Sequence, residues 1–104
     1  MIYIFGQPPN VRMVGPQQDD PATGLPWLIL VTDQTVRADT TINDVDIQLP
    51  PLASFAGRGL LVFNDGPNPG GFNANVFTVT NETFFDGTNE IIVGPGSSAR
   101  ITAG

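Results

Sequence analysis

The chain has no lysine, no histidine and no cysteine among its 104 residues. Histidine is the usual general base, cysteine supplies thiolate nucleophiles and zinc ligands, and lysine forms Schiff bases. Serine needs such a base beside it to act as a nucleophile. The sequence therefore predicts no nucleophilic or Schiff-base catalysis, no disulfide, no ordinary zinc site and no cofactor.

Other metal sites lack a local motif. Asp19, Asp20, Asp33 and Asp39 do not have the Asp-x-Asp-x-Asp-Gly spacing of a calcium loop. A metal site would need ligands from distant loops, so we predict none.

Positive charge is scarce. The chain has four arginines against ten acidic residues, a net charge of −6. Such a surface repels phosphate backbones, and four dispersed cations release too few counterions for useful affinity. Charged residues make up only 13% of the chain, well below the usual quarter, so the surface is easily buried against another protein. We therefore expect no nucleic acid, and we interpret the low charge either as a surface suited to a protein partner or as the result of genome base composition, which would replace Lys by Arg and Glu by Asp.

Long apolar runs are also missing. None exceeds about five or six residues, whereas a membrane-spanning helix needs roughly 20. The segment from Met1 to Gly6 lacks the basic start and long apolar stretch of a secretory signal. We expect no membrane partner and no export by that route.

The chain does contain a series of short apolar segments separated by turn residues. Ile42 to Leu49 alternates apolar and polar residues and ends at Pro50-Pro51. Runs of β-branched and aromatic residues bounded by Gly, Pro, Asn and Asp are typical of all-β domains. Further strands are predicted at 2–5, 11–14, 60–63, 75–80, 91–93 and 98–102. The predicted fold is a small antiparallel β-sandwich of jelly-roll or Greek-key type.

The chain is predicted to divide into two parts. Residues 1–26 form an N-terminal arm and a long loop, with partner binding as a candidate role, and residues 27–104 form the β-sandwich domain. Trp27 to Val31 is an almost continuous apolar run, which is typical of a strand covered on both faces, so we place it at the centre of a sheet. No helical period exceeds about one turn, which leaves only a short connector around Leu52 to Ala56.

Carboxylates are the only remaining side chains that could catalyse a reaction, as an acid and base pair of the kind glycosidases use. Asp44 and Asp46 share one strand face, and Asp65 and Asp86 form a second candidate pair. The second pair precedes glycines, which favours tight turns, and we interpret Asp65 to Gly71 as a wide hairpin loop. Asp44 and Asp46 alternate with apolar residues, which favours a solvated strand face. We predict that the protein is not an enzyme, with an Asp44 and Asp46 glycosidase as the enzymatic alternative.

Several motifs occur in order along the second half of the chain. They are Ile47 to Pro51, Ala56-Gly57-Arg58, Leu60 to Asn64, Asp86-Gly87 and Gly96 to Arg100. They resemble a β module of phage tail-fibre and other virion proteins, in which a Leu-Pro-Pro-Ala strand end, a Gly-Arg or Gly-Lys turn, an Ile-x-Asn-x-Gly strand and an Asp-Gly hairpin follow one another. The resemblance covers residues from about 40 to 103, and the chain departs from it by lacking the trailing aromatic strand.

The resemblance implies a bacteriophage virion structural protein, made in the host cytoplasm and located on the capsid surface or the tail. A chain of 104 residues leaves no room for both a shaft and a receptor-binding tip. We therefore expect a capsid (head) decoration or cement protein. Its expected partners are itself, as a homotrimer, and the major capsid protein or another virion protein. A tail-fibre or baseplate module is the alternative, and a carbohydrate-binding module is another.

Exposed apolar residues are the candidate partner contacts. Ile2, Tyr3, Ile4 and Phe5 begin at the chain start, where chains usually fray. They either form an internal edge strand or add as a strand to a neighbouring subunit or the capsid protein. Phe72, in a glycine-rich loop, is a further anchor. In a carbohydrate-binding module, Trp27, Tyr3 or Phe72 would be the stacking platform.

Overall fold

The computed structural model describes residues 11–55, 59–84 and 87–102. These residues form two four-stranded sheets with almost no helix, so the predicted all-β class is confirmed. Sheet 1 has the order β1-β3-β5-β8, and sheet 2 has the order β2-β4-β6-β7. The elements are β1 (Val11–Val14), β2 (Trp27–Leu28), β3 (Thr35–Ala38), β4 (Val45–Gln48), a 3₁₀ helix (Leu52–Phe55), β5 (Gly59–Asn64), β6 (Ala74–Phe77), β7 (Glu90–Val93) and β8 (Ser98–Thr102).

The chain alternates between the two sheets as it proceeds. β1, β3 and β5 lie parallel in sheet 1, and β2, β4 and β6 lie parallel in sheet 2. β7 then pairs antiparallel with β6, and β8 pairs antiparallel with β5. Both sheets are mixed, so the predicted antiparallel pairing throughout is wrong, and no jelly-roll or Greek-key connection is confirmed. Two parallel strands need a long connection between them. In this fold each such connection contains a strand of the other sheet, so the short loops on either side of that strand pass between sheets.

Inward-facing residues from both sheets build one core. β4 and β5 bury every second residue, as their alternating sequences predict. The two sheets contribute to a single apolar cluster, and Trp27, Leu52, Phe84, Ile91 and Ala99 pack against its margin. The cluster consists of Val14, Ile29, Val36, Ala38, Val45, Ile47, Leu49, Leu60, Val62, Ala74, Val76, Val93 and Ile101.

The apolar run from Trp27 to Val31 is not a central strand. Only Trp27–Leu28 is strand, and β2 lies at the edge of sheet 2. Ile29 is buried, but Leu28, Leu30 and Val31 are 57%, 47% and 52% exposed. The predicted strand covered on both faces is therefore wrong, because an apolar run does not distinguish a core strand from an apolar surface.

The segment after β5 is also not a hairpin loop. β5 and β6 belong to different sheets, so residues 65–73 cross from sheet 1 to sheet 2. A Cβ on Gly66 would overlap the Thr40 hydroxyl oxygen. Glycine is needed at position 66 because another segment approaches its backbone closely. The other predicted Asp-Gly turn includes Asp86, which lies outside the described residues.

Within the described residues the other predicted strands are present, but β4 (Val45–Gln48) and β6 (Ala74–Phe77) are shorter than the predicted strands at 42–49 and 75–80. β1 occupies Val11–Val14, and the short connector is the 3₁₀ helix Leu52–Phe55. The division of the chain at residue 27 stays a prediction, although β1, which precedes it, pairs with β3 inside sheet 1. The predicted strand at Ile2 to Phe5 lies outside the described residues.

Candidate interaction surface

The carboxylates of Asp44 and Asp46 are engaged in structural hydrogen bonds. Asp46 accepts hydrogen bonds from Gln18 Nε2 and Asn75 Nδ2, both at 3.1 Å. Asp44 accepts one from the backbone N–H of Asn73 at 2.9 Å. These bonds join β4 and the residue before it to Gln18, to β6 and to the residue before β6, so both carboxylates have a structural role.

Asp65 is also engaged. Arg37 donates two hydrogen bonds to its carboxylate, from Nε and Nη2, each at 2.9 Å. The Arg37 guanidinium lies 4.8 Å from the centre of the Phe63 ring, which adds a cation–π contact. This cluster holds the start of the crossover 65–73 against sheet 1. Its predicted partner Asp86 lies outside the described residues.

The aromatic candidates differ in accessibility. Trp27 packs against the core, and its Nε1 donates a hydrogen bond to the Gln17 carbonyl at 3.1 Å. Phe72 is 45% exposed. Its backbone is fixed, because its N–H donates to the Thr40 carbonyl at 3.0 Å and its carbonyl accepts from Asn64 Nδ2 at 2.8 Å. Phe72 is thus presented from a rigid loop, whereas Tyr3 and the rest of Ile2 to Phe5 are outside the described residues.

An apolar cleft of about 520 Å³ lies where β2, β4 and β6 end. Three segments line it, and none of the lining side chains is charged. The lining residues are Leu28, Ile29, Leu30, Val31, Thr32, Gln48, Leu49, Pro50, Pro51 and Val79. Sequence reasoning missed this cleft because it assigned residues 27–31 to the core. The sequence did contain two signals of the cleft, namely the apolar run 27–31 and the pair Pro50-Pro51, which closely follows β4.

The walls of this cleft are held by hydrogen bonds and one ion pair. The Ile29 N–H donates to the Gln48 carbonyl at 3.0 Å. The carboxylate of the buried Asp33 accepts the Leu30 N–H at 2.8 Å and Arg12 Nε at 2.9 Å. Because Arg12 belongs to β1, this contact ties the cleft wall to sheet 1. The cleft is therefore preformed, as binding sites usually are.

Metal and membrane sites are not seen in the described ranges. Residues 11–55, 59–84 and 87–102 contain no group of three or more acidic side chains placed to hold a metal ion. In the same ranges no helix has the length and hydropathy required to cross a bilayer.

No protein-family model, curated protein or solved structure matches this chain. Its own residues and surface are therefore the basis for a functional assignment.

Proposed function

We propose that this protein is a bacteriophage virion structural protein, namely a capsid decoration or cement protein that binds the shell surface as an oligomer. The observation that carries the proposal is the open apolar cleft at the ends of β2, β4 and β6. Leu28, Leu30 and Val31 expose about half of their surface there. Clustered apolar residues that face solvent are typical of protein interaction sites.

The hydrogen bonds made by the acidic side chains support a binding role over a catalytic one. Asp44, Asp46 and Asp65 all accept structural hydrogen bonds. Among the described residues, the cleft is lined by no titratable side chain. A glycosidase needs two carboxylates on either side of a bound sugar, and the lining of the cleft offers neither.

Two of the regions that expose apolar residues lie at opposite ends of the domain. The cleft lies at the end of the domain where β3 and β5 begin, and Phe72 lies at the opposite end, on the crossover 65–73. In this proposal the cleft end joins copies into a homotrimer, and the Phe72 end binds the major capsid protein. Many weak contacts on a repeated lattice then give affinity through multivalency. We interpret the two sheets, which share one core, as the halves of a β-sandwich.

The proposal is tested by imaging phage particles that carry the protein and by measuring its oligomeric mass in solution. We expect density at fixed stoichiometry on the head. A Phe72→Ser variant should lose particle binding and keep its oligomeric mass, whereas Ile92→Ser, at an exposed position on β7, should keep both. A protein that is monomeric and absent from particles would overturn the proposal. Density on the tail would instead favour the alternative of a tail-fibre or baseplate module.

A carbohydrate-binding module is the second candidate, and the exposed ring of Phe72 on a fixed backbone favours it. The packing of Trp27 against the core weighs against it, because a stacking platform needs a free ring face. Binding to an array of glycans that is lost in Phe72→Ala would support this candidate over decoration.

A further inference from the structure

The apolar cleft is suited to a short apolar peptide segment. Its lining includes no charged side chain, so an ionic ligand would gain no charge partner there. Its volume of about 520 Å³ falls within the roughly 300–1,000 Å³ that is typical of small ligand pockets. Several apolar side chains of one extended segment would fill it and would cover Leu28, Leu30 and Val31.

Strand direction brings the N-terminus of the described chain to this cleft. β2 ends at the cleft, and residues 29–34 lead from there directly to the start of β3. Val11, the first residue of β1, is paired with Thr35, the first residue of β3. The ion pair between Arg12 and Asp33 joins β1 to the loop that forms the cleft wall. β1 therefore begins at the cleft end of the domain.

The residues that precede Val11 include a matching apolar segment. Ile2, Tyr3, Ile4 and Phe5 form a run without charge, followed by the spacer Gly6 to Asn10. The six residue steps from Phe5 to Val11 span at most roughly 20 Å when extended. The segment can therefore reach a cleft on an adjacent molecule that packs against this end.

The spacer favours a neighbouring copy over the chain's own cleft. Pro8-Pro9 fixes φ at two positions of the spacer and disfavours the helical region at the residue before each proline, which opposes a reversal of the chain onto its own domain. Short hinge segments favour exchange of a segment between identical chains. We infer that the cleft binds the segment Ile2 to Phe5 of a second copy of this chain, an inference that rests on the proposed oligomeric function.

This exchange has a consequence for symmetry. Each copy donates one segment and receives one, and donor and acceptor are different surfaces. Such a contact is heterologous, and it closes into a ring when the rotation between copies allows it. A trimeric ring would leave no segment and no cleft unpaired.

Engineered cysteines test the contact directly, because the natural chain has none. We expect a mixture of Ile4→Cys and Leu30→Cys single variants to form a disulfide-linked heterodimer under mild oxidation. The matched control replaces Leu30→Cys with Ile42→Cys, which is comparably exposed at the opposite end and should give none. A double Ile4→Cys, Leu30→Cys variant that forms only an internal disulfide would show that each segment fills its own cleft, and this would overturn the inference. Absence of any disulfide between positions 4 and 30 would also overturn it.

Two further variants separate this inference from the proposed function. Leu30→Asp should weaken self-association by roughly tenfold or more, because its carboxylate would be buried against an apolar wall, and deletion of residues 1–6 should do the same. Ile42→Asp is the control and should leave the oligomer intact. If both cleft-directed variants keep the wild-type oligomer, the inference fails together with the cleft as the contact between copies, and an oligomeric decoration protein that assembles through another surface stands. If the wild-type chain is monomeric at every concentration tested, the proposed function fails as well.

Discussion

The Thr40 hydroxyl donates a hydrogen bond of 2.6 Å to the side-chain oxygen of Asn64, and both residues are buried. The same oxygen accepts the Gly66 N–H at 2.9 Å. The Asn64 amide group donates to the carbonyls of Phe72 and Val93, each at 2.8 Å. Asn64 therefore connects β5 of sheet 1 with β7 of sheet 2 and fixes the crossover 65–73 at this end.

Replacement of Asn64 by alanine should be strongly destabilising. It would leave buried donors and acceptors on several segments without partners, at a cost of about 3 kcal/mol or more in the free energy of unfolding. Urea denaturation measures the change. The matched control is Asn75→Ala, whose side chain donates a hydrogen bond to Asp46 at a half-buried position and should cost under about 1 kcal/mol. Equal losses in the two variants would contradict the role assigned to Asn64.

Gly66→Ala should be destabilising because of the close approach of Thr40. The new Cβ would overlap Thr40 Oγ1 and would lie 3.0 Å from Asn64 Oδ1. Relief of this overlap requires displacement of the buried network, which should cost about 2 kcal/mol. Gly94→Ala is the control, because no atom lies within 4 Å of its added Cβ, and it should change stability by less than about 0.5 kcal/mol. Thermal unfolding of both variants checks this, and an unchanged melting temperature for Gly66→Ala would refute it.

The two ion pairs found among the described residues should contribute unequally to stability. Asp33 is buried, with 7% of its side chain exposed, whereas the side chains of Arg37 and Asp65 are 43% and 34% exposed. Arg12→Met leaves the Asp33 carboxylate without this guanidinium and should cost about 2 kcal/mol. Arg37→Met should cost under about 1 kcal/mol, because solvent screens that pair. Chemical denaturation of both variants measures the difference, and a larger loss in Arg37→Met would show that this ranking is wrong.

Ile47 and Ile92 provide a test of where the core lies. Ile47 is fully buried on β4, and Ile92 is 60% exposed on β7. Ile47→Ala should lower the free energy of unfolding by about 3 kcal/mol through lost burial and a residual cavity. Ile92→Ala should lower it by less than about 0.5 kcal/mol. Denaturant titration compares the two, and similar losses at both positions would mean that Ile92 is covered in solution, which would identify β7 as part of an interface.

Local alternation made part of the fold predictable from the sequence. In β4 and β5 the apolar residues at every second position face inward, because a strand places successive side chains on opposite faces. That pattern carries no information about which strand lies alongside or in which direction it runs. The parallel pairing of β1 with β3 was therefore not predictable from the alternation of either strand.

The candidate site was less predictable than the fold, for two reasons. The exposure of Leu30 and Val31 depends on whether another strand covers them, which their own chemistry does not encode. The need for glycine at position 66 depends on Thr40, which is distant in the sequence, so the Asp-Gly pair looked like an ordinary turn. The outward position of Asp46 on β4 was predictable, since its alternation with buried neighbours is local.

The alternation of the chain between the two sheets bears on how the protein is made. β1 pairs with β3 and β3 pairs with β5. Each pair can form only after the segment between its two strands, which belongs to the opposite sheet, has been synthesised. β5 gains its second neighbour only when β8, the last strand described, has emerged. Contacts between residues far apart in sequence slow folding, because the ordering entropy is lost before the contacts form. We therefore expect this part of the nascent chain to acquire stable structure only after β8 has left the ribosome.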